Sequence, residues 1–406
     1  MKEGKRQSVP RVLTLLSAAE ALSLLRKIGV DPYGIDAMLP KMKHHNILLE
    51  HVECRVANII KQEMLSLGGD AAVARGSVEC SIPETDTVIM GTGKQIRRFL
   101  EKIADQPFGL DRIGKDVRRL LDNIESVFLP FKTCRRNVVI GDRTWIMGIL
   151  NVTPDSFSDG GAFRTPEEAV ERGIQMTAEG ADIIDVGGES SRPGAKPVPL
   201  HEELARVIPV IEGLSREVAA AISVDTTKAD CAEAAIAAGA EIINDISAMR
   251  LDRRMTEVAA SSGAGVILMH MRGTPLDMQT GDLAYRSLIG EISDFLIERM
   301  EEARDGGVDM EHVMVDPGLG FGKTGVDNLK LIKHLAEFKA LGRPIIVGPS
   351  RKSFIGSVTG GGPQDRFEGT AAAVSAAVMM GAHVVRVHDV AAMKKVVHLI
   401  DEIKRA

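Results

Sequence analysis

From residue 145 onward, short apolar runs recur at regular intervals, and polar residues follow directly after each of them. Runs of this length indicate strands buried on both faces. Segments with apolar residues at helical spacing fill the intervals between them. The predicted strands are residues 145–150, 182–186, 221–224, 241–243, 265–269, 312–315, 344–347 and 383–387, and the predicted helices are 166–179, 201–218, 228–238, 253–261, 285–305, 327–341, 366–380 and 390–404.

Eight strands alternating with eight helices predict an α/β fold, a (β/α)8 TIM barrel that covers residues 136–406. The competing fold is a doubly wound open sheet, which normally has fewer strands and a glycine-rich phosphate turn after its first strand. Here the first strand is followed by residues 151–155 (Asn-Val-Thr-Pro-Asp), which lack that turn. Residues 137–142 are expected to form a short hairpin that closes the barrel floor.

Residues 1–130 lack this alternation and are interpreted as a separate, small α/β domain of unknown function. Its expected strands are 11–16, 46–52, 71–74, 77–82 and 87–90, and its expected helices are 18–27, 55–67, 93–104 and 113–127. Residues 128–136 form the passage to the barrel. Two roles stay open for this domain: a module for oligomerisation or partner binding, or an appendage that stabilises the barrel.

Composition excludes several classes of partner. The net charge of -6 supplies no cationic field for nucleic acid. No apolar run reaches the length of a membrane span, and Glu20 interrupts the apolar start before any secretion-signal cleavage site.

The four cysteines lack a CxxC pair and are interpreted as reduced thiols of a cytoplasmic protein, without a disulfide or zinc site. The adjacent pair His44 and His45 has no further ligand at metal-binding spacing.

Three polar residues end three different predicted strands: Asp225, Asn244 and Asp316. The carboxyl ends of barrel strands meet at one face, where the active site lies. Two carboxylates and an amide match a flat heterocycle that carries an amino group and ring N–H groups, and Lys352 would supply a cation beside its acceptor atoms. Each residue alone could cap a helix, Asp225 above all, but their agreement favours one pocket.

Other residues indicate that the ligand carries negative charge. Ser350 and Lys352 follow the seventh strand and open a short predicted helix, whose N-terminus would attract an anion. Arg386 and His388 end the eighth strand, where barrels often bind phosphate. The glycine-rich residues 187–194 contain Arg192, which could clamp phosphate, although an unspecialised flexible loop has the same composition.

Two more loops and one histidine complete the candidates. Phe157 is the lone aromatic residue of the polar loop 151–161, which suits a lid that excludes water. Residues 318–323 match no phosphate motif, so their glycines indicate a backbone that passes close to a ring. For His270 two interpretations stay open, a functional residue or a histidine packed between Met269 and Met271.

Taken in order, residues 151–161, 185–194, 222–225, 241–245, 316–323, 350–356 and 386–389 resemble the motifs of the dihydropteroate synthase family. The resemblance implies a transferase that joins 7,8-dihydropterin-6-ylmethyl diphosphate to 4-aminobenzoate with Mg²⁺ as cofactor. It also implies a cytoplasmic homodimer and a target of sulfonamides. Two residues depart from the family pattern: Ser191 stands where many members have Thr, and Leu319 stands where an aromatic residue is common.

The resemblance also assigns roles by position. Asp225, Asn244, Asp316 and Lys352 would bind the pterin, and Asp225, Asp316 and Lys352 would act in catalysis. Asn151 would contact the magnesium and the diphosphate. The other contacts to the diphosphate would come from Ser191, Arg192, Arg386 and His388. The aminobenzoate would lie against Phe157, Pro193, Phe321 and Ser350.

The chemistry implied is departure of diphosphate before attack by a weakly basic aromatic amine, which requires no activated Ser or Cys nucleophile. Two alternatives remain for the barrel. One is a pterin-binding methyltransferase, which would lack the anion sites at 350–352 and 386–388. The other is a catalytically silent pterin-binding paralogue, against which the intact anion residues argue.

Overall fold

The computed structural model describes residues 10–15, 17–153 and 165–406. Its contacts divide the chain into two compact units, an N-terminal unit, Met1–Leu121, and a barrel unit, Asp122–Ala406. The sequence placed the boundary a few residues later, in the passage 128–136. No helix among the described residues is long and apolar enough to cross a membrane.

The N-terminal unit is a three-stranded antiparallel sheet with helices. Its sheet order is β1-β3-β2, and α3 and α4 contribute Ile60, Ile96 and Phe99 to a core that also contains Ile89 of β3. Thr92 ends β3 and caps α4 with a reciprocal bond to Gln95. The strands are β1 His44–Glu53, β2 Asp70–Ala72 and β3 Glu84–Thr92, and the helices are α1 Ala18–Ile28, α2 Pro32–Met42, α3 Cys54–Ser66, α4 Gly93–Ile103 and α5 Leu110–Glu125.

Several expectations for this unit are wrong. The predicted strand 77–82 is instead a 3-10 helix, Arg75–Ser77, and a turn, because the carbonyl of Ser77 accepts a hydrogen bond from the Asn58 amide of α3 (2.6 Å). Helix α2 was not predicted, and residues 11–15 are not a strand. The expectation that all four cysteines are reduced thiols is also wrong, because Cys54 and Cys80 form a disulfide with Cα atoms 5.7 Å apart. The fold brings the turn that carries Cys80 against the start of α3, which the spacing along the chain does not reveal.

The barrel unit confirms the predicted TIM barrel. Eight parallel strands pair in the order β11-β10-β9-β8-β7-β6-β13-β12. A parallel bridge between Val315 and Ile345 joins β11 to the start of β12, so the ring closes. The strands are β6 Trp145–Asn151, β7 Ile183–Gly187, β8 Ala221–Asp225, β9 Ile242–Asp245, β10 Gly265–Met269, β11 Val313–Asp316, β12 Ile346–Val347 and β13 Val384–Val387.

Helices cover the outside of this ring close to the predicted places. One expected helix, 327–341, is shorter, because it ends at Lys333 and continues as a 3-10 helix, Leu335–Leu341. The helices are α6 Pro166–Ala178, α7 Leu200–Glu217, α8 Ala229–Ala238, α9 Arg254–Ser262, α10 Leu288–Asp305, α11 Gly325–Lys333, α12 Ser353–Thr359, α13 Phe367–Met379 and α14 Val390–Arg405.

A hairpin closes the bottom of the barrel. Its strands are β4 Leu129–Lys132 and β5 Asn137–Ile140, so it takes in the passage as well as the predicted segment 137–142. Phe131 and Ile140 pack against one apolar residue from each barrel strand, and we call those eight residues the floor layer. Its members are Met147, Ile183, Ala221, Ile242, Ile267, Met314, Ile346 and Val384.

The floor layer determines which residues point inward above it. Side chains of a strand alternate between its two faces, so the residue two positions later faces the same side. Two positions beyond the floor layer, five strands carry polar residues, which we call the polar layer. Its members are Asp185, Ser223, Asn244, Asp316 and Arg386.

We expect Phe131→Ala to lower the free energy of unfolding of the barrel unit by ~3–5 kcal/mol, the usual cost of removing a buried aromatic ring. Phe131 is 1% exposed, and Gly265 leaves room for it, since a Cβ there would lie 2.6 Å from the ring. Urea unfolding measures the change. Val139→Ala on the exposed side of the hairpin is the control, with an expected change below about 1 kcal/mol. Equal effects of the two changes would contradict the packing role of Phe131.

Candidate active site

Arg386 lies at the centre of the polar layer. Its Nε donates to Asp185 Oδ2 (2.6 Å), and its Nη2 donates to Asp225 Oδ2 (2.8 Å). Asn244 Nδ2 also donates to Asp185 Oδ2 (3.1 Å). The ends of four strands, β7, β8, β9 and β13, are therefore joined by one network of charged and polar groups.

Asp185 is a member of this network that the sequence did not single out as a site residue. It is fully buried, and its Oδ1 has no hydrogen-bond partner among the described residues. The sequence did contain a signal for Asp185, because an aspartate at the inward position of an otherwise apolar strand must be paired or protonated. Asp185 orients both Arg386 and Asn244, so it supports two predicted ligand contacts.

The two predicted carboxylates share an environment that favours their neutral form. Burial raises the pKa of Asp225 to about 7, with Arg386 acting in the opposite direction. Burial also raises the pKa of Asp316 to about 6, although the Gly318 N–H donates to its Oδ1 (2.7 Å) and favours the charged form. Both groups therefore change charge near neutral pH, as acids at functional sites often do.

Lys352 interacts electrostatically with both of these acids. Burial lowers the pKa of its ammonium to about 8. Its Nζ lies 4.1 Å from the centroid of the Phe321 ring, so the cation contacts a ring face. Gly320 has a φ of 84°, and a Cβ there would lie 3.1 Å from Lys352, so this loop needs glycine to pass beside the lysine. Leu319, the departure from the family pattern, is buried in the core.

Ser350 and His388 meet at the same mouth. Ser350 Oγ lies 2.9 Å from His388 Nδ1 and accepts a weaker bond from the His388 N–H (3.3 Å). Burial and the neighbouring guanidinium of Arg386 lower the pKa of His388 to about 3. The imidazole is therefore neutral at physiological pH and can bind an anion only through an N–H. The predicted helix after Ser350 begins at Ser353, with Lys352 as its N-cap.

Arg192 and Pro193 lie on the exposed part of the loop after β7. Together with Thr153 and Ser190 they line a cavity of about 350 Å³. Among the described residues, no hydrogen bond or ion pair joins them to Arg386. Glu189 ties the two ends of this loop, because it accepts from the Val198 N–H (3.1 Å) and pairs with Lys228. Ser191, the other departure from the family pattern, is half-buried in the same loop.

Asn151 ends β6, next to Gly187 in the register of β7. Its Oδ1 lies 3.6 Å from the place a Cβ on Gly187 would take, so the glycine keeps the space in front of this oxygen open. No group of three or more His, Cys, Asp or Glu side chains at metal-binding distance occurs in the described part of the chain. Phe157 lies outside the described residues.

His270 is packed, which decides between the two interpretations left open. It contacts the Phe295 ring edge to face at 4.8 Å, and its Nδ1 lies 2.8 Å from Lys323 Nζ. Burial, with the nearby positive charge of Lys323, lowers the pKa of His270 to about 2. It stays neutral at physiological pH.

The barrel matches known proteins. The family model described as pterin binding enzyme matches residues 147–388. The chain is 47% identical over 266 residues to a dihydropteroate synthase of Synechocystis, covering 65% of this chain and 92% of the relative. A solved dihydropteroate synthase from Xanthomonas albilineans, with 4-aminobenzoic acid, is 42% identical with a TM-score of 0.64, covering 69% of this chain and 99% of that one.

The chain therefore belongs to the pterin binding enzyme family. The relatives that it matches over nearly their whole length are dihydropteroate synthases.

A Halobacterium salinarum relative differs in extent. It is a probable bifunctional folylpolyglutamate synthase/dihydropteroate synthase, 40% identical over 378 residues, and the match covers 92% of this chain. This chain spans only 44% of that relative's length.

We expect Asp185→Asn to weaken pterin binding by about 10- to 100-fold, because a hydrogen bond to a charged group contributes roughly 1.5–3 kcal/mol. The neutral amide cannot hold Arg386 as the carboxylate does. Calorimetric titration with 6-hydroxymethylpterin measures the change. The control is Ser223→Ala, since Ser223 lies in the same layer and its hydroxyl has no partner among the described residues. Equal losses in both variants would show that the layer acts only through packing.

Proposed function

We propose that this chain is a dihydropteroate synthase. In this reaction the amine nitrogen of 4-aminobenzoate forms a bond to the methylene carbon of 7,8-dihydropterin-6-ylmethyl diphosphate. The bond from that carbon to the diphosphate oxygen breaks, and the amine loses one proton. The observation that carries the proposal is the convergence of Asp225, Asn244, Asp316, Lys352 and Arg386 at one barrel mouth. The likeness to dihydropteroate synthases across the whole barrel supports it.

The buried acids suit the pterin. Asp316 and Asp225, once ionised, accept N–H donors, and the amide of Asn244 offers both a donor and an acceptor. Lys352 donates to ring acceptors on the opposite side. Because these groups lie in a low-dielectric pocket, each unpaired polar atom disfavours a ligand that lacks the matching group.

Departure of the diphosphate requires stabilisation of its charge. Arg386 would contact the leaving oxygens, with a neutral His388 donating an N–H. Ser191 and Arg192 would approach from the loop after β7, where Arg192 is exposed. The positive charge that develops on the methylene carbon would be stabilised by Asp225 and Asp316, which makes a dissociative displacement favourable.

Magnesium is part of the proposal. A hard cation of this kind is usually held by one or two protein oxygens together with substrate phosphates and waters. Asn151 fits that demand, because its amide oxygen faces the open space over Gly187. When bound, the ion would neutralise charge on the diphosphate as it leaves.

Aminobenzoate would enter last, between the loops. Ser350 would bind its carboxylate, and Phe321 and Pro193 would contact its ring, with Phe157 of the loop 151–161. Its binding site is completed by the diphosphate, so binding is ordered. Tight aminobenzoate binding without diphosphate, measured by calorimetry, would contradict this order.

Family resemblance also motivates the proposal of a cytoplasmic homodimer that sulfonamides inhibit. Sedimentation equilibrium of the full chain tests the dimer. A monomer at micromolar concentration would contradict it, without affecting the assignment of the reaction.

The central test measures diphosphate release by the full chain from the pterin diphosphate substrate with Mg²⁺. We expect turnover that depends on both aminobenzoate and Mg²⁺. Asp225→Asn should lower kcat/KM by about 10- to 100-fold, the loss of one charged hydrogen bond. Pterin binding without turnover would instead support the silent paralogue.

We expect kcat/KM for the pterin diphosphate to rise with pH between about 6 and 7 and to fall above about 8, since this ratio reports the free enzyme. Asp225 and Asp316 must lose their protons to accept N–H donors, and Lys352 must keep its proton. Asp225→Asn should shift the rising part toward pH 6, where Asp316 titrates. If the rise of kcat/KM with pH is unchanged in this variant, the titrating group belongs to the substrate's own phosphate.

A further inference from the structure

Arg351 lies between two predicted ligand residues and has an unusual backbone. Its φ is 57°, in the left-handed region that residues with a Cβ rarely occupy. Such a conformation persists only where the surroundings hold it, and it is typical of functional sites. The contacts of Arg351 therefore bear on how Ser350 and Lys352 are placed.

Both backbone polar groups of Arg351 are held by the start of α13. Its N–H donates to the hydroxyl of Thr370 (3.1 Å), which is fully buried. Its carbonyl accepts from Arg366 Nη1 (3.0 Å). These two bonds set the planes of the peptides on either side of Arg351.

The side chain of Arg351 is held by the end of β13. Its guanidinium binds both carboxylate oxygens of Asp389, with Nη2 to Oδ1 at 2.7 Å and Nε to Oδ2 at 3.2 Å. The preceding residue, His388, bonds to Ser350 at 2.9 Å. Two neighbouring residues after β12 are thus joined to two neighbouring residues at the end of β13.

We propose that Arg351 is a positioning residue for the synthase reaction, an inference that rests on the proposed function. It holds a left-handed turn that directs Ser350 and Lys352 into the pocket, and its guanidinium binds Asp389 and does not bind substrate. Without the ion pair, the residue relaxes to negative φ. The change rotates the following peptide and moves Lys352 away from Phe321. In the structure, Lys352 Nζ lies 4.1 Å from the centroid of the Phe321 ring.

The variant Arg351→Gly distinguishes a positioning role from direct anion binding. Glycine adopts positive φ without strain, so the turn is kept although the guanidinium is removed. Arg351→Ala keeps the Cβ that disfavours positive φ and removes the ion pair, so we expect kcat/KM for the pterin diphosphate to fall about tenfold, the size of a left-handed penalty. Arg351→Gly should stay within about threefold of the parent. Asp389→Asn should weaken the parent but have no further effect in the Arg351→Gly background, as expected for two residues that act through one contact.

Amide hydrogen exchange supplies a readout that does not depend on activity. Peptides covering residues 350–353 should exchange faster in Arg351→Ala than in Arg351→Gly or the parent. Thermal unfolding of all variants identifies any that fail to fold. This measurement also separates the inference from the proposed function, since the exchange difference is expected even if the parent chain shows no turnover.

Two results would overturn the inference. If Arg351→Gly and Arg351→Ala lose activity equally and both raise KM for the pterin diphosphate, the guanidinium binds the anion directly. If Arg351→Ala matches the parent in both activity and exchange, the ion pair with Asp389 does not position the site.

Discussion

An arginine held between two buried carboxylates is the interaction on which the barrel mouth depends. Asp185 is completely buried, and a lone aspartate there would be protonated or strongly destabilising. Arg386 keeps its charge under all physiological conditions and therefore compensates both Asp185 and Asp225. Asn244 is fixed through the same carboxylate, so the orientation of three residues of the proposed pterin and diphosphate site follows from one network.

The same arrangement leaves the positive and negative charges of the site closely balanced. One guanidinium faces two carboxylates, and Asp316 adds a third acid nearby. Burial keeps the pKa values of Asp225 and Asp316 close to neutrality. Groups in this state respond strongly to a charged ligand, because charges interact more strongly in a buried site than in water. The apolar floor layer beneath them contributes stability and no chemistry, a division typical of barrels.

The N-terminal unit is shared with some relatives and not with others. The Halobacterium match covers 92% of this chain, too much to omit residues 1–121, whereas the family match begins at residue 147. The match to this relative therefore extends into the N-terminal unit as well as the barrel. Its sheet, its Thr92 cap and its disulfide between Cys54 and Cys80 hold this unit together by contacts of its own.

Sequence by itself determined the barrel, because a strand buried on both faces must be apolar throughout, and eight such runs alternate with amphipathic segments. It also indicated Asp225, Asn244, Asp316, Lys352 and Arg386, since polar residues that end apolar strands meet at one face. It was least reliable in the N-terminal unit, where the predicted strand 77–82 and the expectation of four reduced cysteines were both wrong. Those features depend on contacts between distant segments, which local pattern does not contain.

Tertiary structure alone decided how the site residues act on one another. Asp185 and Arg386 are 201 positions apart in the chain, and only barrel closure brings their side chains to 2.6 Å. The packing of His270 against Phe295 and the left-handed turn at Arg351 were decided in the same way. The two-residue alternation of side chains along each strand lets a sequence specify which residues point inward. The distances and charges that those residues meet depend on every other strand of the ring.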